Sequence, residues 1–150
     1  MGIREEMPLL ARHEGEWEGT YTYVDLDGMV VDRHNAQLTC TLPNSGDWDY
    51  YQINRYTWED GRTEEHRFPG SYLGQGRCAF DTERIKGEFW AVDDDTIYLS
   101  WIYKESGADL RLFELIVLSP DGNTRSRVWQ WVRGGKCIQR TLIDETRVES

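Results

Sequence analysis

Turn signals at nearly even spacing constrain this chain more than any other feature. They fall at Asp25-Leu26-Asp27-Gly28, Glu59-Asp60-Gly61, Gly74-Gln75-Gly76, Asp93-Asp94-Asp95, Ser106-Gly107-Ala108, Pro120-Asp121-Gly122 and Gly134-Gly135. Glycine supplies positive φ, aspartate caps its own backbone and proline presets φ. The segments between are rich in Val, Ile, Thr, Tyr and Trp, the pattern of an all-β meander. Ten strands are expected, at about 16–25, 28–42, 48–58, 61–68, 76–81, 83–92, 95–104, 109–119, 123–133 and 136–147. Residues 3–12 read as a short helix or turn, weakened by Pro8. No linker or repeat interrupts the chain, and 150 residues suit a single domain spanning 1–150. An open meander exposes edge strands, and closure into an antiparallel up-and-down barrel removes them.

Charge and composition narrow the partners. Asp plus Glu number 27 against 17 Lys plus Arg, a net charge of −10. That field repels a phosphate backbone, so nucleic acid is not an expected partner. No apolar run approaches a membrane span and no signal peptide opens the chain, so a cytoplasmic protein without a membrane partner is expected. Cys40, Cys78 and Cys137 are odd in number and far apart, which fits neither a disulfide framework nor a zinc site. His13, His34 and His66 match no compact metal motif, so neither metal nor cofactor is expected. Asp93-Asp94-Asp95 lacks calcium-loop spacing and reads as a capped turn. With 7 Trp, 8 Tyr and 4 Phe, the aromatic content can fill a β core or line a cavity.

The opening Gly15-Glu16-Trp17-Glu18-Gly19-Thr20-Tyr21 resembles the Gly-x-Trp start of the calycins, the superfamily of lipocalins, fatty-acid-binding proteins and nitrobindins. The resemblance implies a calycin-like barrel whose Trp17 closes one end beneath a late-strand arginine, Arg140 or Arg147. The longer string from Glu5 to Tyr21, with Asn54-Arg55-Tyr56-Thr57-Trp58 and Arg140-Thr141-Leu142-Ile143-Asp144-Glu145, looks like a bacterial family of uncharacterised calycin-like proteins. A fainter similarity points to cofactor-independent lyases that release formaldehyde from lignin-derived phenolic biaryls. Nitrobindins bind haem through a C-terminal histidine; here the last is His66, which argues against haem.

Turn geometry brings candidate site residues together. A type I turn with a glycine bulge at Trp58–Arg62 sets Tyr56 opposite Glu64, Asn54 opposite His66 and Gln52 opposite Phe68. That face is either interior, a polar cluster, or exterior, a solvated ladder. A turn at Gly134-Gly135 would put Trp131 opposite Ile138, Trp129 opposite Arg140 and Arg127 opposite Leu142, so that Trp129 and Arg140 form a cation–π pair. Arg127 or Arg140 would then capture an anion, or stay structural. Glu114 is the lone charge among Leu110, Leu112, Ile116 and Leu118. The loop at Pro120-Asp121-Gly122 leaves it opposite Arg127 or Val128, paired internally or free to act as acid or base. His34, with Asp32, Ala36, Leu38 and Cys40, reads as a core histidine.

The expected function is binding of a small aromatic or amphipathic, anionic molecule in the barrel. Trp129, Trp131 and Tyr56 would form its walls, Arg127 and Arg140 its anion contacts, and His66, Asn54 and Glu114 its polar contacts. The alternative is a cofactor-independent lyase or isomerase acting on a phenol, with His66 or Glu114 transferring the proton and Tyr56 assisting. A filled barrel serving as an interaction module is the third class. A homodimer stays open.

Overall fold

The computed structural model describes residues 2–106 and 109–149. Ten antiparallel strands close into one up-and-down barrel: β1 (Gly15–Val24), β2 (Val30–Thr41), β3 (Tyr50–Thr57), β4 (Thr63–Gly74), β5 (Arg77–Asp81), β6 (Ile85–Ala91), β7 (Thr96–Tyr103), β8 (Leu110–Leu118), β9 (Thr124–Arg133) and β10 (Lys136–Arg147). Each strand pairs with its sequence neighbours, and β1 closes on β10 from Trp17 opposite Arg147 to Val24 opposite Arg140. Two short helices, α1 (Ile3–Glu6) and α2 (Pro8–Arg12), precede the barrel. The all-β expectation and the ten strands hold, with the N-terminal segment split at Met7. The Ser106-Gly107-Ala108 turn falls partly outside the described residues.

Inward and outward residues alternate as a pleated wall requires. Leu38, Cys78, Ile97, Leu112 and Ile143 are buried, whereas their neighbours on the strands lie mostly at the surface. Met7, Leu9, Leu10 and His13 plug one end. Trp17 lies across that end. Its indole donates to the His13 carbonyl at 2.9 Å, and the guanidiniums of Arg125 and Arg147 lie 4.3 and 4.4 Å from its ring centre. Arg147, not Arg140, is therefore the late-strand arginine against Trp17. It also donates to the carbonyls of Glu14, Arg12 and Gly122, tying the helical plug to the last strand.

Close strand approach fixes the barrel's curvature at two glycines. A Cβ on Gly19 would lie 2.0 Å from the Asp144 carbonyl oxygen, and one on Gly87 2.0 Å from that of Ser100. Elsewhere turn chemistry works as expected. Gly61 takes φ 90° in the Trp58–Arg62 hairpin, where Trp58 N–H donates to the Arg62 carbonyl at 2.9 Å. The Asp93 carboxylate accepts from the backbone of Asp95 and Thr96, so that acidic run is a capped turn. Among the described residues no cluster of His, Cys, Asp or Glu could hold a metal, and no helix is long and apolar enough to cross a membrane.

Candidate functional site

The β3–β4 hairpin has the expected register: Tyr56 opposite Glu64, Asn54 opposite His66, Gln52 opposite Phe68. Its face is interior, since Asn54 and Tyr56 are buried. Along β3 the inward polar groups form a chain. Tyr50 OH donates to Gln52 Oε1 at 2.6 Å, Gln52 Nε2 to Asn54 Oδ1 at 2.8 Å, and Asn54 Nδ2 to Tyr56 OH at 2.8 Å. Burial raises the pKa of Tyr56, so its phenol stays protonated.

The last hairpin departs from expectation. Lys136 pairs with Arg133 as anticipated, but a bulge between Cys137 and Gln139 shifts every later pair by one. Trp131 faces Gln139 instead of Ile138, Trp129 faces Thr141 instead of Arg140, and Arg127 faces Ile143 instead of Leu142. One extra residue reverses the parity of a strand. Arg140 consequently sits on the outer pleat, opposite Gln130 and Val24, between the inward Gln139 and Thr141. The cation near Trp129 is Arg127, whose guanidinium carbon lies 5.7 Å from the ring centre.

Arg127 belongs to a buried charge quartet at the plugged end. A four-residue loop from Pro120 to Asn123 sets Glu114 opposite Trp129 and Ile116 opposite Arg127, neither of the two expected registers. The side chains still meet diagonally, Arg127 Nε to Glu114 Oε2 at 2.5 Å. Glu114 is therefore an ion-pair partner, not a free acid or base. Arg127 also donates to Tyr21 OH at 2.8 Å and lies 3.3 Å from Glu145, which Arg125 holds at 2.7 Å. Burial works to raise the Glu145 carboxyl, but Arg125 and Arg127 pull it below its ordinary value. Two arginines and two glutamates make the quartet neutral. His13 Nδ1 accepts from Arg125 Nη1 at 3.0 Å, and burial together with Arg125 lowers its pKa to about 2.

The other half of the lumen is aromatic. Tyr103 stacks on Trp131 at 5.6 Å with 12° between planes, and Phe68 stacks on Trp101 at 5.7 Å with 18°. Opposite them His34 packs on Trp58 at 4.3 Å and on Tyr56 at 4.7 Å. Asp32, inward on β2, accepts from His34 Nδ1 and from the Trp58 indole, both at 2.9 Å. His66 stands at this end, its ring 5.7 Å from Tyr56, with Nδ1 2.5 Å from Arg84 Nη1 and Nε2 4.0 Å from Glu64. Burial and Arg84 lower its pKa, which favours the neutral imidazole. No hydrogen bond joins His66 to Glu114 among the described residues.

The rings take up most of the interior. One cavity of about 30 Å³ adjoins His13, Tyr50, Gln52, Arg125 and Arg127. A second, of about 20 Å³, adjoins Asn54, Phe68, Trp101, Glu114, Arg127 and Trp129. Each has the volume of about one water molecule. Among the described residues, four buried polar atoms have no hydrogen-bond partner: His13 Nε2, His34 Nε2, Trp101 Nε1 and Trp129 Nε1. Of the residues expected from the sequence, His66, Tyr56, Asn54, Glu114, Arg127, Trp129 and Trp131 are inward and Arg140 is outward. Asp32, His34, Tyr23, Trp58 and Tyr103 join the aromatic half without having been anticipated as site residues. The alternation that put Asp32 and His34 on one face was their only sequence signal.

Comparison with solved structures supports the architecture. A protein of unknown function from the DUF3598 family of Nostoc punctiforme PCC 73102 aligns with TM-score 0.69 and 18% identity over 93% of this chain; the chain spans 49% of its length. An S-type phycobiliprotein lyase, CPES from Guillardia theta, aligns with TM-score 0.74 and 14% identity over 100% of this chain and 94% of its own. Rv2717c from M. tuberculosis aligns with TM-score 0.65 and 13% identity over 99% of both chains. A search of curated proteins found no match. At these identities the likeness extends to the fold alone. Residues 5–150 match the family described as "Domain of unknown function (DUF3598), N-terminal", and the chain belongs to that family.

Proposed function

We propose that the protein binds a small, flat aromatic molecule bearing an acidic group in the aromatic half of the barrel. The observation that carries this reading is three unpartnered buried atoms there: His34 Nε2, Trp101 Nε1 and Trp129 Nε1. Buried polar groups are nearly always hydrogen-bonded, and leaving one unpaired costs about 1–3 kcal/mol. With the His34 Nδ1 proton directed at Asp32, Nε2 is an acceptor; the two indoles are donors. A ligand with a hydroxyl and an acceptor oxygen satisfies both kinds of site, and the surrounding rings supply stacking faces. A phycobiliprotein lyase built on the same fold supports a barrel that handles a small molecule.

Ligand pockets usually measure about 300–1,000 Å³, far above the present cavities. Binding therefore requires side chains to swing away, and Tyr23, Trp58, Tyr103 and Trp131 are the rings there that are only partly buried. The test is a tryptophan-fluorescence titration with 6-hydroxy-2-naphthoate, in wild type and His34→Phe. Saturable quenching with one equivalent, weakened about tenfold by the substitution, supports the reading. Absence of saturable quenching refutes it and leaves a filled barrel.

Catalysis on a phenol is the second reading, favoured by the Asp32–His34 pair. A carboxylate orients an imidazole whose other nitrogen is unengaged, the arrangement of a general base. It gives to His34 the proton-transfer role expected of His66 or Glu114. Formaldehyde release from a hydroxymethyl-bearing phenolic biaryl, lost in His34→Phe, would support it. Binding of that biaryl without turnover would refute it.

A further inference from the structure

The barrel is closed, but the ladder between β4 and β5 is short. β4 pairs with β3 from Thr63 to Gly70, but its ladder with β5 starts only at Gly70, opposite Phe80. β5 ends at Asp81, and the turn 82–84 leads back into β6. Among the described residues, no strand pairs with 63–69 of β4 on its second side. A groove of about 390 Å³ fills this stretch, bounded by residues 65–69 and 82–85. Outward Glu65 and Arg67 line it together with inward His66, Phe68 and Ile85, so it cuts into the wall. Phe68 also lines the 20 Å³ inner cavity beside Trp101, Glu114 and Trp129. The Phe68 ring therefore borders both the outer groove and the inner cavity.

A cation stands at this breach. Arg84 Nη1 meets His66 Nδ1, and its guanidinium lies 6.0 Å from the Phe68 ring centre. Among the described residues Arg84 forms no ion pair. Of the two carboxylates lining the groove, Glu65 is held by Arg55 and Arg67, and Glu83 forms no ion pair with its neighbour Arg84. A guanidinium without a carboxylate, beside an aromatic ring at a gap in the wall, matches a planar carboxylate joined to an aromatic body.

We propose that the gap between β4 and the β5–β6 turn is a lateral entrance to the lumen, at which Arg84, backed by His66, binds the carboxylate of the incoming aromatic ligand. Phe68 is the door: its ring must rotate for the aromatic body to pass. The proposal rests on the lumen-binding reading for what lies behind the door, but the carboxylate site is testable by itself.

Two probes of equal shape, 2-naphthoate and 2-naphthamide, are titrated into wild type and Arg84→Gln. The Arg84 Nε–Hε resonance is followed by NMR, assigned by its disappearance in the variant, and tryptophan fluorescence is recorded in parallel. The expected result is that naphthoate, and not naphthamide, shifts the Arg84 resonance. The variant should weaken naphthoate about tenfold and leave naphthamide unchanged. Tryptophan quenching with no naphthoate-specific effect at Arg84 overturns the proposal while sparing the lumen reading. A naphthoate-specific Arg84 shift without quenching supports the carboxylate site and refutes the lumen reading. Failure of the resonance to respond to either probe overturns the proposal whatever the fluorescence does. Phe68→Ala gives an independent check: naphthoate should associate faster, and an unchanged association rate removes Phe68 as the door.

Discussion

Truncating Arg127 should expose how far the barrel depends on its buried charge quartet. Arg127 is 4% exposed and contacts Glu114, Tyr21 and Glu145. In Arg127→Leu, Glu145 keeps Arg125, but Glu114, 2% exposed, loses its cation. Breaking a buried pair costs about 3–5 kcal/mol, a large share of the about 5–15 kcal/mol that holds a domain together. Replacing both partners by apolar groups is often neutral, so Arg127→Leu with Glu114→Leu should recover all but about 1–2 kcal/mol, the remainder belonging to the orphaned Tyr21 hydroxyl. Urea unfolding followed by far-UV circular dichroism, compared at equal m-value, measures both. A loss below about 1 kcal/mol in the single variant, or a double variant no more stable than the single one, would contradict this dependence on the quartet.

Two further perturbations address the plugged end and the wall. His13, lowered to about 2 by burial and then by Arg125, binds its proton in the unfolded chain well before the folded one. Stability is therefore fully present above pH 6.5 and falls by about 1.4 kcal/mol per unit as pH drops below it. His13→Gln should flatten the pH 5–6.5 segment of a stability–pH curve, and an unchanged slope would contradict the assignment. Gly87→Ala would drive a Cβ into the Ser100 carbonyl, so β6 and β7 must separate locally; a loss of about 1–3 kcal/mol is expected by thermal or urea unfolding. A neutral result would mean that the two strands are not so closely apposed.

Local chemistry made the strands and the β3–β4 register legible. Trp58-Glu59-Asp60-Gly61-Arg62 contains everything that fixes its hairpin, so the pairs through Asn54 and His66 follow from it. Which face was interior was not legible, because Gln52, Asn54, Glu64 and His66 suit water as well as a hydrogen-bonded lumen. The bulge at Cys137–Gln139 carries no comparable local mark. It displaced Arg140 to the outside and left Arg147 against Trp17. Glu114 met Arg127 despite the unanticipated register because a long guanidinium reaches diagonally across a sheet. β4 was expected to stop before Pro69, yet it runs on to Gly74. The ladder with β5 begins only after that proline, and an absent N–H is tolerated beside an open edge. The lumen's near-complete filling depends on the packing of rings from every strand, which no single segment encodes.

Ligand binding in the lumen is read most directly from a ¹H–¹⁵N spectrum of the tryptophan indoles during titration with 6-hydroxy-2-naphthoate. Among the described residues, Trp101 and Trp129 have indole N–H groups without a partner, whereas Trp17, Trp58 and Trp131 already donate to His13, Asp32 and Thr141. A ligand in the aromatic half should give saturable downfield shifts of the Trp101 and Trp129 indole protons as they acquire an acceptor, with Trp17 unmoved at the plugged end. Shifts confined to exposed Trp48, or none at all, would contradict a ligand in the aromatic half of the barrel.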